Sequence, residues 1–140
     1  MRTKRALLYR MRALQGLGNT ARLGEFFEAN TIPDAEYYLA KAQFQYGQRR
    51  YREAVATLAN CRTTQAELTD QRAIERDVVY YKALCLTGLY NAEATEQNKT
   101  SAMDGWFDVK FAFRNETNHR YFKYANEQIR RMSSEAGESR

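Results

Sequence analysis

Pro33–Cys61, PDAEYYLAKAQFQYGQRRYREAVATLANC, reads as two amphipathic helices joined by a short Gly-containing turn, Gly47-Gln48-Arg49-Arg50. Pro33 suits the first turn of a helix, where its missing N–H is not needed, and Asp34 and Glu36 complement the positive end of the helix dipole. The spacing therefore predicts a helix that starts at about Pro33 and ends at Gly47. Its polar residues fall in two lines, Glu36 with Gln43 and Lys41 with Gln45. They leave two apolar stripes, Tyr38, Leu39, Ala42, Tyr46 and Tyr37, Ala40, Phe44, so this helix needs neighbours on two sides. After the turn, Tyr51, Ala54, Val55, Leu58 and Ala59 recur at the i, i+3, i+4, i+7, i+8 spacing of a helix with one buried face.

The flanking sequence extends this pattern. Leu7, Leu8, Met11 and Leu14 form a helical stripe, Gly16, Gly18 and Asn19 form a turn, and Ala21, Leu23, Phe26 and Phe27 form a second helix leading to Pro33. The polar segment Arg62–Arg72 is either a loop or the first turns of a helix started by Thr63 or Thr64, with Thr69 or Asp70 as alternative caps. A helix over about Ala73–Leu89 puts Ile74, Val78, Tyr81 and Cys85 on one line. Asn91–Lys99 reads as a long connection, with Asn91 placed like a helix C-terminal cap. Thr100 or Ser101 then caps a helix carrying Ala102, Met103, Trp106, Phe107, Val109 and Phe113, whose aromatic density predicts that it closes the core. A last helix over about His119–Met132 turns Tyr121, Phe122, Ala125, Ile129 and Met132 inward. The predicted class is all-α, about seven helices in stacked antiparallel hairpins, one domain over residues 1–132 and a polar tail over 133–140.

On these residues the Pro33–Cys61 hairpin resembles the tetratricopeptide repeat family, whose unit is a helix-turn-helix of about 34 residues with the pattern W-x2-L-G-x2-Y, then A-x3-F, then Pro. Tyr38 takes the Trp place, Ala42 the Gly place, Ala54 and Leu58 the A-x3-F pair, and Cys61 a later small-residue place. Lys41 and Gln45 depart from the family's Leu and Tyr. Tyr80-Tyr81-Lys82-Ala83-Leu84 echoes Tyr37-Tyr38-Leu39-Ala40-Lys41 at an interval longer than that period. The resemblance implies a right-handed superhelix with a C-terminal capping helix. It also implies a protein-interaction scaffold whose inner helices line a groove for a peptide or protein partner, here Glu36, Leu39, Gln43, Tyr46, Lys82 and Leu86. The Asn members of the Lys and Asn set with which some family members clamp a terminal carboxylate are missing.

Composition narrows the function classes. The chain has 140 residues, 44% hydrophobic, with ten Tyr and seven Phe, which argues against disorder although 28% are charged. The net charge of +5 permits nucleic acid, acidic protein or anionic lipid as partner without choosing among them. The nucleic-acid alternative draws on Arg49, Arg50 and Arg52 at the hairpin turn and on the arginines of the first 25 residues, interleaved with Tyr and Phe; Glu36 and Glu53 interrupt the stripe. Two cysteines, Cys61 and Cys85, and one histidine, His119, cannot build a Cys/His zinc site, so no metal and no cofactor is expected. The cysteines read as small apolar side chains, placed where adjacent hairpins would let them approach each other.

There is no P-loop, GxGxxG or HExxH motif and no nucleophile constellation around His119, so no enzyme activity is expected. Asn98-Lys99-Thr100 and Asn115-Glu116-Thr117 match the N-glycosylation acceptor pattern. No apolar run reaches the ~18 residues of a membrane span, and a cytoplasmic location is expected, although the basic N-terminus, free of acidic residues up to Glu25, also has the look of an organelle transit peptide. The start within a helical pattern suggests a piece of a longer protein.

Overall fold

Among the described residues of the computed structural model, the backbone of 3–138 and the side chains of 3–135, there are seven helices and no strand. These are α1 (Lys4–Leu17), α2 (Thr20–Ala29), α3 (Ala35–Gly47), α4 (Tyr51–Ala59), α5 (Gln71–Ala92), α6 (Glu96–Ala112) and α7 (Arg120–Glu138). The chain divides into two compact units, Met1–Glu75 and Arg76–Arg140, each with its own hydrophobic cluster.

In the first unit Gly18 and Asn19 make the turn read from the sequence, while Gly16 lies within α1. Gly18 ends α1 in the left-handed conformation at φ 67, and the Asn19 side chain accepts the Arg22 N–H at the start of α2. Leu8, Met11, Phe26, Phe27, Ile32, Tyr37 and Ala40 are buried together. Phe27 packs edge-on to Tyr37 and tilted against Phe44, and the Tyr37 hydroxyl donates to the Asn30 carbonyl at 2.7 Å. The pairing of α3 with α4 confirms a helical hairpin there.

Three details of that hairpin differ from expectation. First, α3 begins two residues after Pro33, because Asp34 is its N-cap, with an extended backbone and a side chain that accepts the Glu36 N–H. Second, Gln45, expected on a polar line, is buried, and its Oε1 lies 2.6 Å from the Thr57 hydroxyl, which turns Thr57 inward while Ala59 faces solvent. A paired polar group tolerates burial that an unpaired one would not. Third, Gly47 does not make the turn. It closes α3 as an ordinary helical residue, whereas Arg49 adopts the left-handed φ of 61.

A Cβ on Gly47 would meet nothing within 4 Å, so Gly47→Ala is expected to raise stability by about 0.5–1 kcal/mol. Arg49→Gly should also be stabilising, because left-handed backbone costs a side-chain-bearing residue roughly 1–2 kcal/mol. Urea unfolding of the two variants checks this; a destabilised Gly47→Ala would assign the turn to the glycine.

The polar stretch after Cys61 is an ordered strap across the start of α3. Gln65 offers its carbonyl to the Ala35 N–H at 2.7 Å, and the Glu67 N–H reaches the Asp34 carboxylate at 2.9 Å. Asp70, one of the two alternative caps, accepts the Ala73 N–H at the start of α5.

In the second unit, α5 continues through Asn91 to Ala92, and only Glu93–Thr95 separates it from α6. The long connection expected over Asn91–Lys99 is instead mostly helix. Thr95 is the cap, accepting the Asn98 N–H, and the Asn98 side chain returns to the Glu93 carbonyl at 2.8 Å. What looked like loop composition is the solvated first turn of α6. Deeper in, Gly105 lets α6 approach α5: a Cβ there would sit 3.1 Å from Ala83 Cα. Trp106, Val109, Phe113, Ala125 and Met132 are fully or almost fully buried around this approach, and Tyr80 stacks flat on Tyr121 at 3.6 Å.

The tail expected from Ser133 is a continuation of α7 through Glu138. Glu135 accepts a hydrogen bond from the Tyr90 hydroxyl at 2.8 Å and pairs with Arg131. Residues 139–140 lie outside the described residues.

Candidate functional site

The six residues assigned to a groove by resemblance fall in both units. On α3, Glu36 binds Arg12 through both carboxylate oxygens, at 2.6 and 2.8 Å, and also accepts from the Thr69 hydroxyl. Leu39 is buried. Gln43 and Tyr46 are half-buried, and the Tyr46 ring packs 5.7 Å from that of Tyr51. On α5, Lys82 is exposed, while Leu86 is half-buried against the second unit's core beside Gly105.

Three of the four cations of α1 are paired with carboxylates of their own unit. Lys4 pairs with Asp34 at 3.2 Å, Arg5 with Glu67 at 3.4 Å and Arg12 with Glu36. The hydrogen bonds and charge of Glu36 raise the Arg12 pKa, against the opposing effect of burial. At the α3–α4 turn, Arg50 pairs with Glu53. Of the arginines behind the nucleic-acid alternative, Arg5, Arg12 and Arg50 thus face carboxylates.

Two arginines of the first unit are arranged differently. Arg10 on α1 and Arg22 on α2 border a groove of about 530 Å³, together with Leu14, Glu25, Phe26 and Ala29. The Arg10 guanidinium lies 5.8 Å from the Phe26 ring centre. Neither arginine forms an ion pair among the described residues.

In the second unit the notable surface is the outer face of α6. Phe107 and Phe111 are 49% and 67% exposed. They stand one helical turn apart, on the side opposite Trp106, Val109 and Phe113. Exposed Asp104 and Asp108 flank them on one side, and on the other the Arg114 guanidinium covers the Phe111 ring at 4.2 Å. Sequence reasoning counted Phe107 among the rings closing the core. The signal that separates them was present: residues 102, 106, 109 and 113 take one face at helical spacing, which leaves 107 and 111 on the other.

The nucleophile candidates are chemically quiet. Burial pushes the Cys85 thiol up to about 12. Burial, helped by the charge of Asp34, pushes that of Cys61 up to about 11. Both are free thiols, and at neutral pH each is protonated and a poor nucleophile. Nδ1 of His119 accepts the Tyr121 N–H at 3.0 Å, and its ring packs against Phe113, which makes it the cap of α7. Among the described residues no group of three His, Cys, Asp or Glu could hold a metal ion, and no helix is long and apolar enough to cross a membrane. Comparison of the chain with protein-family models, curated proteins and solved structures finds no match.

Proposed function

We propose that this chain is a protein-interaction scaffold of tetratricopeptide-like helical hairpins that binds a segment of a partner protein. The observation that carries the reading is the pair Phe107 and Phe111, two large apolar side chains held in water on a helix whose opposite face is fully packed. Keeping apolar surface in solvent forgoes roughly 25 cal/mol for each Å² that could be covered, and rings of this kind anchor protein interfaces. Asp104 and Asp108 beside them favour a partner segment that carries an apolar face with a basic flank.

Peptide-display selection on the full chain tests this. Enriched segments are expected to combine apolar and basic residues and to bind a Phe107→Ser/Phe111→Ser variant at least about tenfold more weakly, with helicity unchanged, as expected for loss of aromatic anchors. Failure to enrich any segment, or equal affinity for the folded variant, would overturn the reading.

A further inference from the structure

The α1–α2 groove offers a second and chemically different contact. The cations Lys4, Arg5 and Arg12 of α1 each face a carboxylate of the same unit. Arg10 and Arg22 do not, and these two border the groove. Its apolar lining comes from Leu14, Phe26 and Ala29, and Glu25 is its one acidic residue, so the lining carries one positive charge in excess. A volume of about 530 Å³ is within the usual range for a ligand site of roughly 300–1,000 Å³.

We infer that this groove binds an acidic segment of a protein partner, with an apolar side chain against Leu14 and Ala29 and a carboxylate at Arg10 and Arg22. The inference rests on the protein-binding reading and adds a site and a partner chemistry to it. Charge selects the occupant. A guanidinium offers planar paired donors that match a carboxylate, and such charge-assisted hydrogen bonds are about twice as strong as neutral ones. Arg10 and Arg22 lie on different helices and both line the groove, so α1 and α2 each contribute a guanidinium to it. Half-buried Leu14 and exposed Ala29, which also line the groove, give an apolar side chain next to that carboxylate a surface to cover.

The test uses the full chain and a short fluorescein-labelled peptide of alternating Glu and Leu, amidated at its C-terminus so that only side-chain carboxylates are read. Saturable binding is expected. It should weaken about tenfold or more in Arg10→Gln/Arg22→Gln, vanish when the peptide's Glu are replaced by Gln, and stay within about twofold in Arg72→Gln, which removes an exposed charge elsewhere in the same unit. Both groove arginines are exposed, so their glutamine variants should fold, which circular dichroism checks. Equal loss in Arg72→Gln would reduce the effect to net charge, and no loss in the double variant would put the peptide elsewhere; either result overturns the inference. If display-selected ligands respond to Phe107 and Phe111 while the acidic peptide does not bind at all, the groove assignment falls and the scaffold reading stands.

Discussion

Trp106→Ala is expected to destabilise the second unit by about 3–5 kcal/mol. The indole is fully buried, with Tyr80 and Tyr124 edge-on at 5.8 and 5.3 Å. Its Nε1 donates to the Thr87 hydroxyl at 2.7 Å, and that hydroxyl donates in turn to the Ala83 carbonyl at 2.8 Å. Truncation removes the contacts and leaves a cavity that cannot collapse freely, because α5 and α6 already approach closely at Gly105 and Ala83. Thr87→Val separates the polar part of the effect at nearly constant volume: it leaves the indole N–H buried without an acceptor and should cost about 1–3 kcal/mol. Urea unfolding followed by far-ultraviolet circular dichroism reads both. A loss below about 1 kcal/mol for Trp106→Ala would remove it from the core.

Asp34→Ala is expected to cost about 2–5 kcal/mol, since it strands two backbone donors. The carboxylate is fully buried, and its oxygens accept from the N–H of Glu36 and of Glu67, each at 2.9 Å. One residue therefore caps α3 and fastens the 62–70 strap over it. Asp34→Asn should recover only part of the loss, because one arm of the amide would present hydrogens to a backbone N–H. Lys4→Met, by contrast, should cost less than about 1 kcal/mol, since the Lys4 side chain is 35% exposed and its attraction to Asp34 is screened. Unfolding midpoints give the stabilities, and proteolysis within 62–70 reports release of the strap. A stable Asp34→Ala whose strap stays protected would contradict this role.

These two residues show what the sequence discloses and what it does not. Asp34 was legible as a helix-start residue from its place after Pro33, and Trp106 as core from the apolar face it shares with Val109 and Phe113. The second role of Asp34, holding Glu67, joins residues distant along the chain and leaves no local mark. The same holds for the pairing of Lys4, Arg5 and Arg12 with Asp34, Glu67 and Glu36: sequence alone sees a basic segment, and only the fold brings the carboxylates to it. Helix ends were misread where a polar first turn resembles a loop, as at Thr95, and where polar residues after Met132 continue a helix. Of the candidate surfaces, the α1–α2 groove was the less legible. Arg10 and Arg22 differ from Lys4, Arg5 and Arg12 in lacking a partner carboxylate, which no local pattern marks, whereas the exposure of Phe107 and Phe111 follows from the spacing of residues 102, 106, 109 and 113.

The scaffold reading requires that Phe107 and Phe111 serve a partner rather than the fold. The most direct test measures, in one set of samples, the affinity of a display-selected segment and the urea midpoint of the wild-type chain and of Phe107→Ser/Phe111→Ser. Affinity lower by about tenfold or more with the midpoint unchanged is the expected result; unchanged affinity in the folded variant would contradict it.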